Sequence, residues 1–155
     1  MSKTESARED TQALLHSATV ARLAAMLQSA GCRANVIERD GGREVHSAVQ
    51  GLGFFLRLGN VQPGQEGCVD FSWMCSLALR NELPQELVEN WNRGTRFGRL
   101  SMQGGFLMLS MDTLLAGGVT GMHLRAQFEI WVRLLQELHL HLRRPLAQRA
   151  QVAAA

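Results

Sequence analysis

Apolar residues recur along this chain with two different periods, and each change of period marks a new element. His16, Val20, Leu23 and Leu27 recur at spacings of 4, 3 and 4, with Ala13 and Ala24 beside them. That is one face of an amphipathic helix, which Asp10 or Thr11 is placed to cap and Gly31 to end. Beyond Gly31 the period shortens. "CRANVIERD" and "REVHSAVQG" lie on either side of an Asp-Gly-Gly turn and read as a hairpin. "LGFFLRLGN" is a third strand, and "CVDFSWMCSLA" is a fourth after the loop "VQPGQEG". In the fourth, Val69, Phe71, Trp73 and Cys75 alternate with Cys68, Asp70, Ser72 and Met74, and the first set is expected to face the core.

Pro84 opens a short helix, "PQELVENWNR", with Leu87, Val88 and Trp91 on one face. "RFGRLSMQ" and "FLMLSMD" flank a Gly-Gly turn as a second hairpin, and its last strand is apolar on both faces, as a central strand covered twice would be. A long helix follows, with Thr120 as N-cap and Pro145 as stop. Leu124, Phe128, Trp131, Leu135, Leu138 and Leu142 step by 4, 3, 4, 3 and 4, and Ile130, Val132 and Leu134 widen the apolar arc. An arc that wide suits burial on a sheet, with a partner subunit on the other side. The order is α-β-β-β-β-α-β-β-α, an α+β class with helices packed on an antiparallel sheet. Residues 11–144 are expected to form one domain, between a flexible N-terminus over 1–10 and a flexible tail over 145–155.

Composition narrows the function. The 155 residues carry 46% hydrophobic residues, enough for one core. A formal charge of +2 predicts no general attraction to nucleic acid or to anionic lipid. Cys32, Cys68 and Cys75 are an odd set at wide spacing, which is no disulfide framework. The polar start "MSKTESARED" has no apolar signal core, and no apolar run of membrane-spanning length follows. A soluble cytoplasmic protein is expected.

Three blocks carry a resemblance. "SAGCRANV" after the first helix, "NWNR…RFGRL" before a hairpin and "LLAGGVT" before the long helix are similar to the YbjN-like family of bacterial sensory-transduction regulators. The similarity runs from about Leu14 to Leu142, and its most specific part is Asn90-Trp91-Asn92 with Arg96-Phe97. The resemblance implies a fold like the type III secretion chaperones, which are small homodimers that bind segments of other proteins. It implies no activity.

The residues of that block read as a structural joint. Asn92 lies in the last turn of its helix, where asparagine suits a terminus, and Gly94 can take the left-handed conformation that ends it. Asn90 is expected to need an amide partner if it is buried. Arg93, Arg96 and Arg99 beside Phe97 suit an acidic partner, but the chain has no tyrosine and no aromatic pair spaced to stack bases, so nucleic acid is disfavoured. His139 and His141 lie on different sides of a helix, and no metal-ligand spacing occurs, so no metal or other cofactor is expected. Cys75 and His46 lie in strands that can bring a thiol and an imidazole together, but two residues are too little for a catalytic site. The expected function is therefore a non-enzymatic, chaperone-like regulatory module that binds another protein or a peptide segment, as a homodimer and off the membrane. Its methionines, among them Met26, Met74, Met102, Met108, Met111 and Met122, suit an adaptable surface. The alternative is a small-molecule or nucleic-acid sensor with a pocket between sheet and helix.

Overall fold

Backbone pairing gathers six strands into one open antiparallel sheet. The computed structural model describes residues 13–80 and 83–154, with side chains as far as residue 143. The strands are β1 (Asn35–Arg39), β2 (Gly42–Val49), β3 (Leu52–Leu58), β4 (Asp70–Ala78), β5 (Arg99–Gln103) and β6 (Phe106–Leu114). The helices are α1 (Val20–Ser29), α2 (Gln85–Gly94) and α3 (Gly121–Ala154). The α+β class and the order of elements are those the sequence predicts. Spatial order is β1-β2-β3-β4-β6-β5. The first four strands form a meander. The chain then crosses through α2 to the far edge, lays down β5, and returns as β6 into the gap beside β4.

Register sets which residues are buried. Val45, Leu56, Trp73 and Met111 lie in one row across the sheet, and Leu100, Leu109 and Cys75 lie in another on the same face. All seven are buried. The predicted core set Val69, Phe71, Trp73 and Cys75 is buried, and the alternation breaks at Cys68 of the other set, which is buried where it pairs with Ala18. Helix α3 lies across this face. Trp131 sits 6.0 Å from both Trp73 and Phe54 by ring centroids, and Phe128 sits 6.3 Å from Trp73. Leu23 and Leu27 of α1 join the same core. Burial of such side chains is the main favourable term in folding.

Three expectations are corrected. The first helix is shorter than its apolar spacing suggests. Residues 13–19 are not helical, because Leu15 pairs with Val119 and Ala18 with Cys68 through reciprocal backbone hydrogen bonds of 2.8–2.9 Å. The helix starts instead after Thr19, whose Oγ1 accepts the Arg22 N–H. Asp10 and Thr11 lie outside the described residues. Helix α3 is longer than expected and runs through Pro145 to Ala154. The proline forfeits one backbone donor, and the Leu, Ala, Gln and Arg that follow are strong helix formers. Finally, β6 is central but is not covered by helices on both faces. Its inner residues Leu107, Leu109 and Met111 are buried. On the outer face Met108 is buried among its strand neighbours, but Phe106 and Leu114 are exposed, Leu114 by 62%. No described helix packs on that outer face.

The wide arc of α3 is used up inside the molecule. Leu124, Phe128, Trp131, Leu134, Leu135, Leu138 and Leu142 are all buried, and Ile130 and Val132 are half-buried. Its outward residues include Arg125, Glu129, Arg133, Gln136 and Glu137, which are exposed.

Candidate functional site

The joint between α2 and β5 is built from the residues the sequence singles out. Trp91 on α2 is 3% exposed and packs inward with Leu87. Its indole Nε1–H donates to the Gly98 carbonyl at 3.1 Å. His141 of α3 meets its ring edge-on at 5.5 Å and donates from Nε2 to the Leu87 carbonyl at 3.0 Å. So Trp91 ties α2 to the following turn and to α3 at once.

Asn92 does something the sequence did not reveal. Its side-chain Nδ2 donates to the Leu100 carbonyl at 2.9 Å, and its Oδ1 accepts the Leu100 N–H at 2.9 Å. An amide side chain thus stands where a further strand would pair with the free edge of β5. Only the complementary donor and acceptor of an amide do this. Asn90 is exposed, so its amide is solvated and needs no buried partner.

Between these two anchors the chain makes a strained turn. The helix ends with Thr95 extended and without a left-handed residue at Gly94, which corrects the terminator role expected there. The positive φ falls on Phe97 instead, at 71°. The Gly98 N–H donates to the Arg96 carbonyl at 2.9 Å, closing a γ-turn with Phe97 at its centre. A γ-turn with a positive central φ is rare and strained, and a bulky aromatic there is an outlier. The next residue must be glycine, because a Cβ at Gly98 would lie 2.9 Å from Leu134 and 3.2 Å from Leu109. Phe97 is 59% exposed and carries the Arg96 guanidinium over its ring at 5.0 Å. Arg93, Arg96 and Arg99 are exposed and make no ion pair among the described residues. Of the five residues in the block, then, Trp91 and Asn92 are the frame, Arg96 and Phe97 are the exposed tip, and Asn90 lies beside them in solvent.

The other candidates are dispersed. Cys75 faces the helices, while His46 pairs in register with Phe55 and thence Met74, which puts it on the opposite face of the sheet. The thiol and imidazole therefore do not meet. Burial pushes the Cys75 thiol up to about 11 and raises that of Cys68, so both are neutral thiols at neutral pH. His46 belongs to another cluster. Its Nε2 lies 2.8 Å from Glu44, whose other oxygen accepts from Arg57 at 3.0 and 3.2 Å. Phe55 stacks on His46 at 5.1 Å and lies under Arg57 at 5.4 Å. Glu44 is only 4% exposed. Burial acts to raise its pKa, but the hydrogen bonds and charges of His46 and Arg57 outweigh that and leave it lowered. No group of three or more metal-ligating side chains occurs among the described residues.

Several concavities lie among the helices and the sheet. An open cleft of about 570 Å³ separates α1 from the start of α3, with Met26, Leu27, Leu124 and Phe128 on its floor and Arg22 and Arg125 on its walls. A smaller pocket of about 330 Å³ lies between β3–β4 and α3, lined by Leu52, Cys75, Leu77, Leu135, Leu138, His139, Leu142 and Arg143. No described helix is long and apolar enough to cross a membrane.

The sequence profile of one family matches residues 19–144, a span that holds the sheet, α1, α2, the joint and most of α3. This chain belongs to the YbjN family, whose description reads "Putative bacterial sensory transduction regulator". Neither curated proteins nor solved structures give a match.

Proposed function

We propose that the protein is a non-enzymatic regulatory module that works by holding a segment of another protein, in the manner of a chaperone, in the bacterial cytoplasm. The observation that carries this reading is the exposed Phe97 at the tip of its strained turn. A strained, exposed aromatic costs stability, and such strain collects at functional sites. Trp91 ties the Gly98 carbonyl, Asn92 clamps Leu100, and Gly98 packs closely on Leu134, so the chain on both sides of the turn is fixed. Phe97 with the uncompensated Arg93, Arg96 and Arg99 suits a partner segment that brings an apolar anchor and acidic groups. The separation of Cys75 from His46 and the raised thiol pKa support a role without covalent chemistry.

A photo-crosslinking residue at position 90, exposed beside the Phe97 tip and used in cells, is the test. It should capture one protein partner, and Phe97→Ala and Arg96→Ala should lose that partner while melting as the wild type does. Capture that survives both substitutions would overturn the reading. The proposed state is a homodimer. On the outer side of α3 the exposed Met122 and Leu140 stand apart among charged and polar residues, whereas β1 presents an edge on which Val36 and Ile37 are exposed side by side. Light scattering checks this: a mass of 17.1 kDa at all concentrations rules the dimer out. A second reading, a small-molecule sensor, is favoured by the pocket between the sheet and α3.

A further inference from the structure

The pocket between β3–β4 and α3 has a chemical character that narrows what it can hold. Five leucines line it: Leu52, Leu77, Leu135, Leu138 and Leu142. The sixth wall group is the Cys75 thiol, 2% exposed and protonated at neutral pH, which behaves as a small apolar group. Among the described residues no Phe or Trp ring lines it, and its one imidazole, His139, is exposed, so a flat heterocycle finds no buried face to stack on. Among the described residues its walls carry no hydroxyl, amide or carboxylate side chain, so a sugar, nucleotide or amino acid would bury polar groups without those partners. The two charge-bearing side chains, His139 and Arg143, are both exposed, one helical turn apart at the mouth. At about 330 Å³ the space falls at the lower end of the range for small-ligand sites.

We propose that this pocket binds a medium-chain aliphatic carboxylate, its chain among the leucines and its head on Arg143. A flexible chain matches a wall of branched aliphatic groups, and a carboxylate matches the planar guanidinium fork. The site lies on α3 and the inner face of the sheet, so it goes beyond the protein-binding reading and does not depend on it.

Decanoate and decanol, titrated into the full chain and followed through leucine methyl resonances, separate the outcomes. Decanoate should bind saturably to one site, shift the methyls of Leu52, Leu77, Leu135, Leu138 and Leu142, and bind at least about tenfold more tightly than decanol. Arg143→Met should remove that preference and leave decanol binding unchanged. Leu77→Phe, at a half-buried position where an added ring can be tolerated, should weaken both ligands. The proposal fails if no saturable binding appears, if the shifts fall on the α1–α3 cleft, or if decanol binds as tightly as decanoate. Failure here leaves partner capture beside the Phe97 tip untouched, because that experiment reads a different surface.

Discussion

The side-chain amide of Asn92 makes two 2.9 Å hydrogen bonds to the backbone of Leu100, one in each direction, and so occupies one position of the free edge of β5. Removing it exposes a backbone donor and acceptor in a part-buried place. Asn92→Ala is therefore expected to destabilise the protein by about 1–2 kcal/mol. Asn92→Asp keeps the acceptor but loses the donor, and should fall between the two. Urea unfolding, read as the midpoint at constant slope, checks both. A midpoint unchanged in Asn92→Ala would mean that the amide contributes nothing to the joint.

Trp91 and Phe97 should behave oppositely although they are near neighbours in one block. Trp91→Ala removes a buried ring and its bond to Gly98, for an expected loss of about 3–5 kcal/mol. Phe97→Gly removes an exposed ring from a left-handed position, and relief of strain should raise stability by about 0.5–1 kcal/mol. Thermal melting of the two variants beside wild type decides it. Equal losses in both would contradict the division into frame and tip.

Glu44 gives the fold an acid-sensitive component. Its pKa is lowered from 4.5 in the folded state, so its stabilising contribution is fully present above that value and is lost as pH falls through the lower folded value. Glu44→Gln should be less stable than wild type by about 1–2 kcal/mol at neutral pH, with the gap closing below about pH 4. Denaturation from pH 7 to pH 3 on both proteins provides the comparison. A gap that stays constant with pH would remove Glu44 from the account.

The three thiols should differ in reactivity. Cys32 is half-buried, while Cys68 and Cys75 are buried with raised pKa values. Ellman titration of the native protein at neutral pH should report one fast thiol, and the unfolded protein three. Rapid labelling of Cys75 in the native state would show that the pocket wall opens.

Much of this architecture is legible in the sequence because it rests on local period. The alternation through Phe71, Trp73 and Cys75 and the helical spacing from Leu124 to Leu142 report burial directly, and Thr120 caps α3 as expected, its Oγ1 accepting the His123 N–H. What was missed depends on non-local pairing. Nothing local to Leu15 and Ala18 says that Val119 and Cys68 claim their backbone groups. Nothing local to Cys75 says that an intervening strand puts His46 on the other face. The site was half legible. The sequence places Trp91 on the inward face with Leu87, but it marks Asn92 only as a helix-end residue because its partner, Leu100, lies in the next element. It points to Gly94 for the positive φ, where glycine makes it easy, whereas the positive φ sits on Phe97, where it is costly.

Helix α3 comes after all six strands in chain order, and it brings Phe128 and Trp131 to Trp73. Protein synthesis runs in that same order. While the ribosome is still making β6, the greasy side of a finished four-strand meander has no lid. Phe54, Leu56 and Trp73 then face water, beside an edge of β4 that still awaits its neighbour. Such an intermediate is prone to pair with another nascent chain. Shortening α3 before Leu142 should accordingly lower the soluble yield from cells more than the lost contacts alone would lower the melting temperature.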